Sequence, residues 1–233
     1  MVEDQADFFI FGYGSLIFDP ECPHRVVERV SAVLPGYSRR FNKISSSRSC
    51  IQGESYNAFE IQDPRFVRGV ENVSIVLGTE ACPGKQIVGV ALGYLERDRE
   101  QVLAQTDRRE GYNVDGPSEE NGYLRFEMEV TRYSGSGTLD AYVYLSNPDG
   151  RNRFYLDKSF ELSQQAQVLI NATPQNPREK NYSESRGLYY LEHVRSGLRG
   201  IDIIDPELES LAEAVRAFGG PWRALIAPGE LSA

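Results

Sequence analysis

Apolar side chains run unbroken through Phe8-Phe9-Ile10-Phe11 and stop at Gly12-Tyr13-Gly14, which predicts a buried strand entering a two-glycine turn. Alternation from Val26 to Leu34 predicts a second strand, with a short helical start as the alternative, and Pro35-Gly36 should bend it. Tyr37 to Phe41 then reads as a strand carrying Arg39 and Arg40. Residues 42–71 are rich in Ser, Arg and Asn without a clean period, and read as a long insertion or lid before a strand at Asn72 to Leu77. Pro83-Gly84 predicts a turn into Gln86 to Leu95, a strand whose Gly89 and Gly93 suit a curved or closely packed sheet.

Residues 97–108 set Val102 and Leu103 among charged side chains, a short amphipathic helix ending near Glu110-Gly111. Tyr123 to Tyr133 and Thr138 to Ser146 alternate about Gly135-Ser136-Gly137, the pattern of a hairpin. Helices are expected from Ser159 to about Asn171, from about Ser183 to Gly197, and from Asp205 to Phe218. The last has Asp205 as N-cap, Pro206 in its first turn, and Leu208, Leu211, Val215 and Phe218 on one face. Strands first and helices last predict an α+β fold with a curved or closed sheet flanked by helices. One domain is expected over residues 1–233, with its core at about 8–146 and a helical C-terminal extension at about 159–218.

Charge narrows the partners. The net charge of −9 opposes binding to nucleic acid or to an anionic membrane surface, although Arg39 and Arg40 make a local basic spot. Cys22, Cys50 and Cys82 are odd in number and form no CxxC pair, so neither a disulfide framework nor a zinc site is indicated. With only His24 and His193, a histidine metal site or a Ser-His-Asp triad is poorly supplied. Glu3, Asp4 and Asp7 replace the basic start of a signal peptide, and no apolar run approaches the ~20 residues of a membrane span. A cytosolic protein is expected, in which the sequons at Asn72, Asn171 and Asn181 carry no sugar.

Candidate chemistry lies in two places. At Asp107-Arg108-Arg109-Glu110-Gly111-Tyr112 an acid ends a helix, where the dipole disfavours a negative charge and burial among tyrosines would raise a carboxyl toward the range of proton transfer. The alternative is a solvated surface glutamate beside two arginines. The other place is the Gly12-Tyr13-Gly14 turn, whose bare backbone could wrap a small ligand but lacks the third glycine and following helix of a dinucleotide loop.

Taken in order, several blocks of this chain resemble the γ-glutamylcyclotransferases, and most closely their ChaC-like branch, which acts on glutathione. These blocks are Phe11-Gly12-Tyr13-Gly14-Ser15-Leu16, Pro35-Gly36-Tyr37-Ser38-Arg39-Arg40-Phe41, Leu77-Gly78-Thr79-Glu80 with Pro83-Gly84, Arg109-Glu110-Gly111-Tyr112 and Ala141-Tyr142-Val143-Tyr144. The resemblance implies a small mixed β-barrel with surrounding helices and no metal or organic cofactor. It also implies a loop, here Gly12, Tyr13, Gly14, Ser15 and Leu16, that holds the γ-glutamyl group, and one essential glutamate, here Glu110. The partner implied is a small γ-glutamyl compound, glutathione or a γ-glutamyl amine or amino acid.

Cyclisation suits these residues. The substrate's own α-amino nitrogen attacks its γ-carbonyl, so neither a protein nucleophile nor an activated water is required, and one carboxyl group can move the proton. Tyr142 and Tyr144 share a strand face and either could line the barrel pocket, Tyr144 being the one assigned to substrate binding. Arg39 and Arg40 point to opposite faces, so at most one meets a substrate carboxylate, a surface ion pair being the alternative. A non-catalytic module binding a γ-glutamyl ligand and a hydrolase using Ser15 are the rival functions.

Overall fold

The computed structural model describes residues 5–45, 74–152, 154–156, 160–173, 186–220 and 226. Most of the expected insertion, with Cys50, Asn72 and Asn181, lies outside them, as do the expected starts of the first two C-terminal helices, Ser159 and Ser183. The elements are β1 (Phe8–Gly12), β2 (Glu28–Ser45), β3 (Ser74–Tyr94), α1 (Arg99–Glu110), β4 (Tyr123–Arg132), β5 (Thr138–Ser146), α2 (Leu162–Asn171), α3 (Leu188–Arg199) and α4 (Pro206–Ala217). The chain divides into two compact units, one of Met1–Arg40 and Leu77–Tyr155, the other of Phe41–Val76 and Leu156–Ala233.

The first unit is built on a closed barrel with strand order β1-β3-β2-β4-β5. Its sheet is mixed: β1 runs antiparallel to β3, Phe8 opposite Tyr94, and parallel to β5, Phe9 opposite Ala141. The expected hairpin forms between β4 and β5, with Tyr123 opposite Ser146 and Thr131 opposite Thr138. Because side chains alternate along a strand, Phe9 and Phe11 join Ala141, Val143 and Leu145, with Leu34, Ile87 and Val130, in one buried cluster. Each large member contributes about 1.5–3 kcal/mol of burial. This is the α+β barrel the sequence predicted, with helices following it in the chain.

Two strands are longer than expected. Pro35-Gly36 was predicted to bend its strand and Pro83-Gly84 to turn into one, but each pair lies inside a single longer strand, with Gly36 at φ 80° and Gly84 at φ 83°. Glycine takes the left-handed conformation at little cost, so each pair re-aims the strand without ending it.

In the second unit α4 packs against α2 and α3. The Asp205 carboxylate caps α4 by accepting from the backbone N–H groups of Glu207 and Leu208. Leu208, Leu211 and Val215 are buried on the expected face, whereas Phe218, beyond the last helical residue, is 43% exposed. Thr173 links the end of α2 to the start of α3, its hydroxyl donating to the Leu169 carbonyl (2.7 Å) and accepting from Leu188 N (2.9 Å). Arg195 on α3 is fully buried and makes a two-pronged bond to Glu209 on α4 (3.0 and 2.6 Å) while also pairing with Glu192. Arg199 joins the same two carboxylates.

Candidate active site

The turn after β1 is fixed from several sides. Gly12 is buried where a Cβ would stand 2.8 Å from that of Leu16, so only glycine lets the following turn fold back this closely. Ser15–Ile17 form a single turn of 3-10 helix, and Asp19 N donates back to the Ser15 carbonyl (2.9 Å). Tyr13 is buried, its hydroxyl donating to the Tyr144 carbonyl (2.6 Å). Its own carbonyl accepts from Arg39 Nε (3.0 Å), and the Arg39 guanidinium also donates to the Val88 carbonyl (2.6 Å). Gly14 and Ser15 remain partly exposed between buried Tyr13 and buried Leu16. Arg40 points the other way and pairs with Glu80 at 3.0 Å, the opposite orientations expected of neighbours in a strand.

Glu110 is the last residue of α1, followed by Gly111 in the left-handed conformation that stops the helix. Its side chain is 13% exposed, which removes it from the solvated surface. Arg109 Nε lies 3.7 Å from the Glu110 carboxylate, and its terminal nitrogens donate to the Asp19 carbonyl (2.7 Å), the Asp19 carboxylate (3.0 Å) and Glu21 (2.8 Å). Burial opposes its charge, but the bond to Glu21 and the fields of Glu110 and Asp19 hold this guanidinium above the ordinary arginine value.

Three residues earlier on the helix, Asp107 accepts from the Tyr144 hydroxyl (2.6 Å) and from Arg125 (2.6 Å). Burial first, and then the bond to Asp107, push the Tyr144 phenol well above its ordinary value, so it remains a hydrogen-bond donor. Arg125 also lies 5.2 Å from the centre of the Tyr112 ring. The chain after Gly111 is closed by Gly122 N donating to the Gly111 carbonyl (2.9 Å) and by reciprocal bonds between Asn113 and Asn121. Buried amides of Asn147 and Asn152 hold the Asn121 carbonyl.

Two routes therefore join the turn to the end of α1. One runs from the Tyr13 hydroxyl to Tyr144 and on to Asp107; the other runs from Ser15 through Asp19 to Arg109, the neighbour of Glu110. Tyr142 and Tyr144 do share a face, but it is the one turned from the interior cluster: Tyr142 accepts from Arg99 (2.8 Å) and Tyr144 meets Asp107, both on α1. His24 is exposed in the turn Pro23–Arg25, and His193 belongs to α3 of the second unit. Sequence reasoning missed Asp107 and Arg125. The three-residue spacing of Asp107 and Glu110 on a helix was the available signal for the first. Nothing in the spacing of Arg125 marked it.

Among the described residues no three His, Cys, Asp or Glu side chains are grouped to hold a metal ion, and no helix is long and apolar enough to cross a membrane. The family model described as ChaC-like protein matches residues 8–218. Among solved structures, a selenomethionine-labelled γ-glutamyl cyclotransferase specific to glutathione from yeast is similar over 92% of this chain and 97% of its own, with 19% identity and a TM-score of 0.64. A second yeast structure of the same description covers 91% of this chain and 99% of its own, with 19% identity and a TM-score of 0.59. At that identity the likeness is one of fold. No curated protein shows significant sequence similarity to the chain.

Proposed function

The chain belongs to the ChaC-like family, and from that premise we propose that it is a γ-glutamylcyclotransferase, a lyase-type enzyme that converts glutathione into 5-oxoproline and Cys-Gly. The observation that carries the reading is a nearly buried carboxyl group, Glu110, ending a helix that hydrogen bonds tie to the Gly12–Leu16 turn. In the proposed reaction the α-amino nitrogen of the γ-glutamyl group bonds to its own γ-carbonyl carbon. A five-membered lactam closes, the amide C–N bond to cysteine breaks, and the Cys-Gly amine departs.

Glu110 takes a proton from the attacking ammonium and returns one to the leaving nitrogen, so the enzyme ends each cycle in its starting protonation state. Gly12, Tyr13, Gly14, Ser15 and Leu16 form the proposed cradle, with backbone N–H groups facing the substrate carboxylate or the developing oxyanion. Tyr144 contributes to that cradle by accepting the Tyr13 hydroxyl at its carbonyl. Holding the substrate folded back on itself converts flexible-chain entropy into rate. No cofactor takes part. The proposed setting is the cytosol, where the free thiols of Cys22 and Cys82 would persist.

Purified protein given glutathione should release 5-oxoproline and Cys-Gly without added metal, and Glu110→Gln should lower kcat by about 10²- to 10⁴-fold while the circular dichroism spectrum stays that of the wild type. Thermal stabilisation by glutathione without turnover would instead identify a binding module, and wild-type turnover in Glu110→Gln would remove the glutamate from the chemistry.

A further inference from the structure

We propose that Asp107 is a positioning residue that sets the bearing of Glu110 against the turn; the proposal rests on the reading of Glu110 as the proton carrier. Asp107 and Glu110 stand three apart on the last turn of α1 and so share a side of the helix. The two carboxylate oxygens of Asp107 are used by different strands: Oδ1 accepts from Tyr144 on β5 and Oδ2 from Arg125 on β4. Those two partners are directly opposite each other in the hairpin register, so one carboxylate closes a cross-strand pair.

The main chain of Asp107 is engaged as well. Its carbonyl accepts from the N–H of Gly111 and from that of Tyr112 (2.9 Å), the two residues that follow Glu110. One residue thus bonds the barrel wall through its side chain and closes the helix around Glu110 through its backbone. An apolar contact could hold a helix against a sheet with less desolvation cost, but it would leave rotation about the helix axis loosely defined. Directed bonds at 2.6 Å to two fixed donors define it. Tyr144 supplies the other half of the alignment, since its carbonyl holds Tyr13 while its hydroxyl holds Asp107. The proton carrier and the cradle are thereby referred to the same residue of β5. A misplacement of about 1 Å in such a site costs on the order of 10²-fold in rate.

Tyr144→Phe is the decisive variant, because it removes one oxygen and leaves the ring and every nearby charge in place. Tyr144→Phe and Asp107→Asn should each lower kcat on glutathione about 10- to 100-fold with KM within about threefold, and the double variant should be no slower than the slower single one. A readout independent of turnover is the carboxyl ¹³C resonance of Glu110, assigned by its loss in Glu110→Gln. Tyr144→Phe should displace that resonance, with its circular dichroism unchanged. The proposal falls if wild-type protein turns glutathione over and Tyr144→Phe matches its kcat, or if the Glu110 resonance stays at its wild-type position. An inert wild type would instead overturn the proposed activity, and the resonance would still decide whether Tyr144 and Asp107 orient Glu110.

Discussion

Gly89 marks the tightest approach beside the turn: a Cβ there would lie 2.3 Å from the Gly12 carbonyl oxygen and 2.8 Å from the Phe11 ring. The ring could shift, but the carbonyl is part of the backbone that leads into Gly12–Leu16. Gly89→Ala should therefore cost about 1–3 kcal/mol, measured as a lowered urea midpoint at unchanged m-value. In sequence this glycine could be read as a sign of close packing, and the structure supplies the neighbour. Asp107 was harder to read. It sits beside two arginines in the chain, yet bonds Arg125, 18 residues later, and Tyr144, 37 residues later. Spacing along a helix brings Asp107 and Glu110 to one side, but it does not say which strand they meet.

At the level of elements, the end of α1 was legible because charged residues give way to glycine, and the structure stops the helix at Glu110 with Gly111 at φ 67°. Little stands near a Cβ added at Gly111, the closest atom being Gly122 N at 3.9 Å, so the cost of a side chain there is conformational. Gly111→Ala should destabilise the protein by about 1–2 kcal/mol, and Gly111→Asn by less, since asparagine tolerates the left-handed region better. Thermal unfolding of the two variants side by side checks that order. The strands β2 and β3 were legible in composition but not in length. A Pro-Gly pair ends a strand when the chain turns away, whereas here each pair lies inside a strand of the closed barrel. Tertiary pairing of this kind has no local signature.

Over the whole molecule, strand content and chain order indicated α+β, but the order β1-β3-β2-β4-β5 joins segments far apart and was not readable from periodicity. The second unit depends on a polar centre as well as an apolar one. Burial raises the Glu192 carboxyl, whereas at Glu209 burial is outweighed by the bonds from Arg195 and by the Arg199 charge, which hold its value below normal. A depressed folded value gives Glu209 a stabilising contribution that is complete above the unfolded value of about 4.3 and is lost as pH falls through the folded one. Glu192 has the opposite sign, its contribution weakening as pH rises through its raised folded value. Glu209→Gln leaves buried Arg195 with one carboxylate fewer and should cost about 3 kcal/mol at pH 7. The deficit should shrink as pH falls from the unfolded value of about 4.3 through the depressed folded one, where wild-type Glu209 takes up its proton. Urea titrations at pH 7 and pH 3 test that convergence.

The parallel seam between β1 and β5 also has a consequence in time. Tyr13 finds its hydrogen-bond acceptor 131 residues later in the chain, so at about 5–20 residues per second synthesis takes roughly 10 s to deliver it. During that interval β1 can pair with β3 but not with β5, and the Tyr13 hydroxyl lacks its acceptor. The turn is thus among the first parts of the barrel to be made and among the last to be closed, so the proposed activity should appear in a nascent chain only after β5 has emerged.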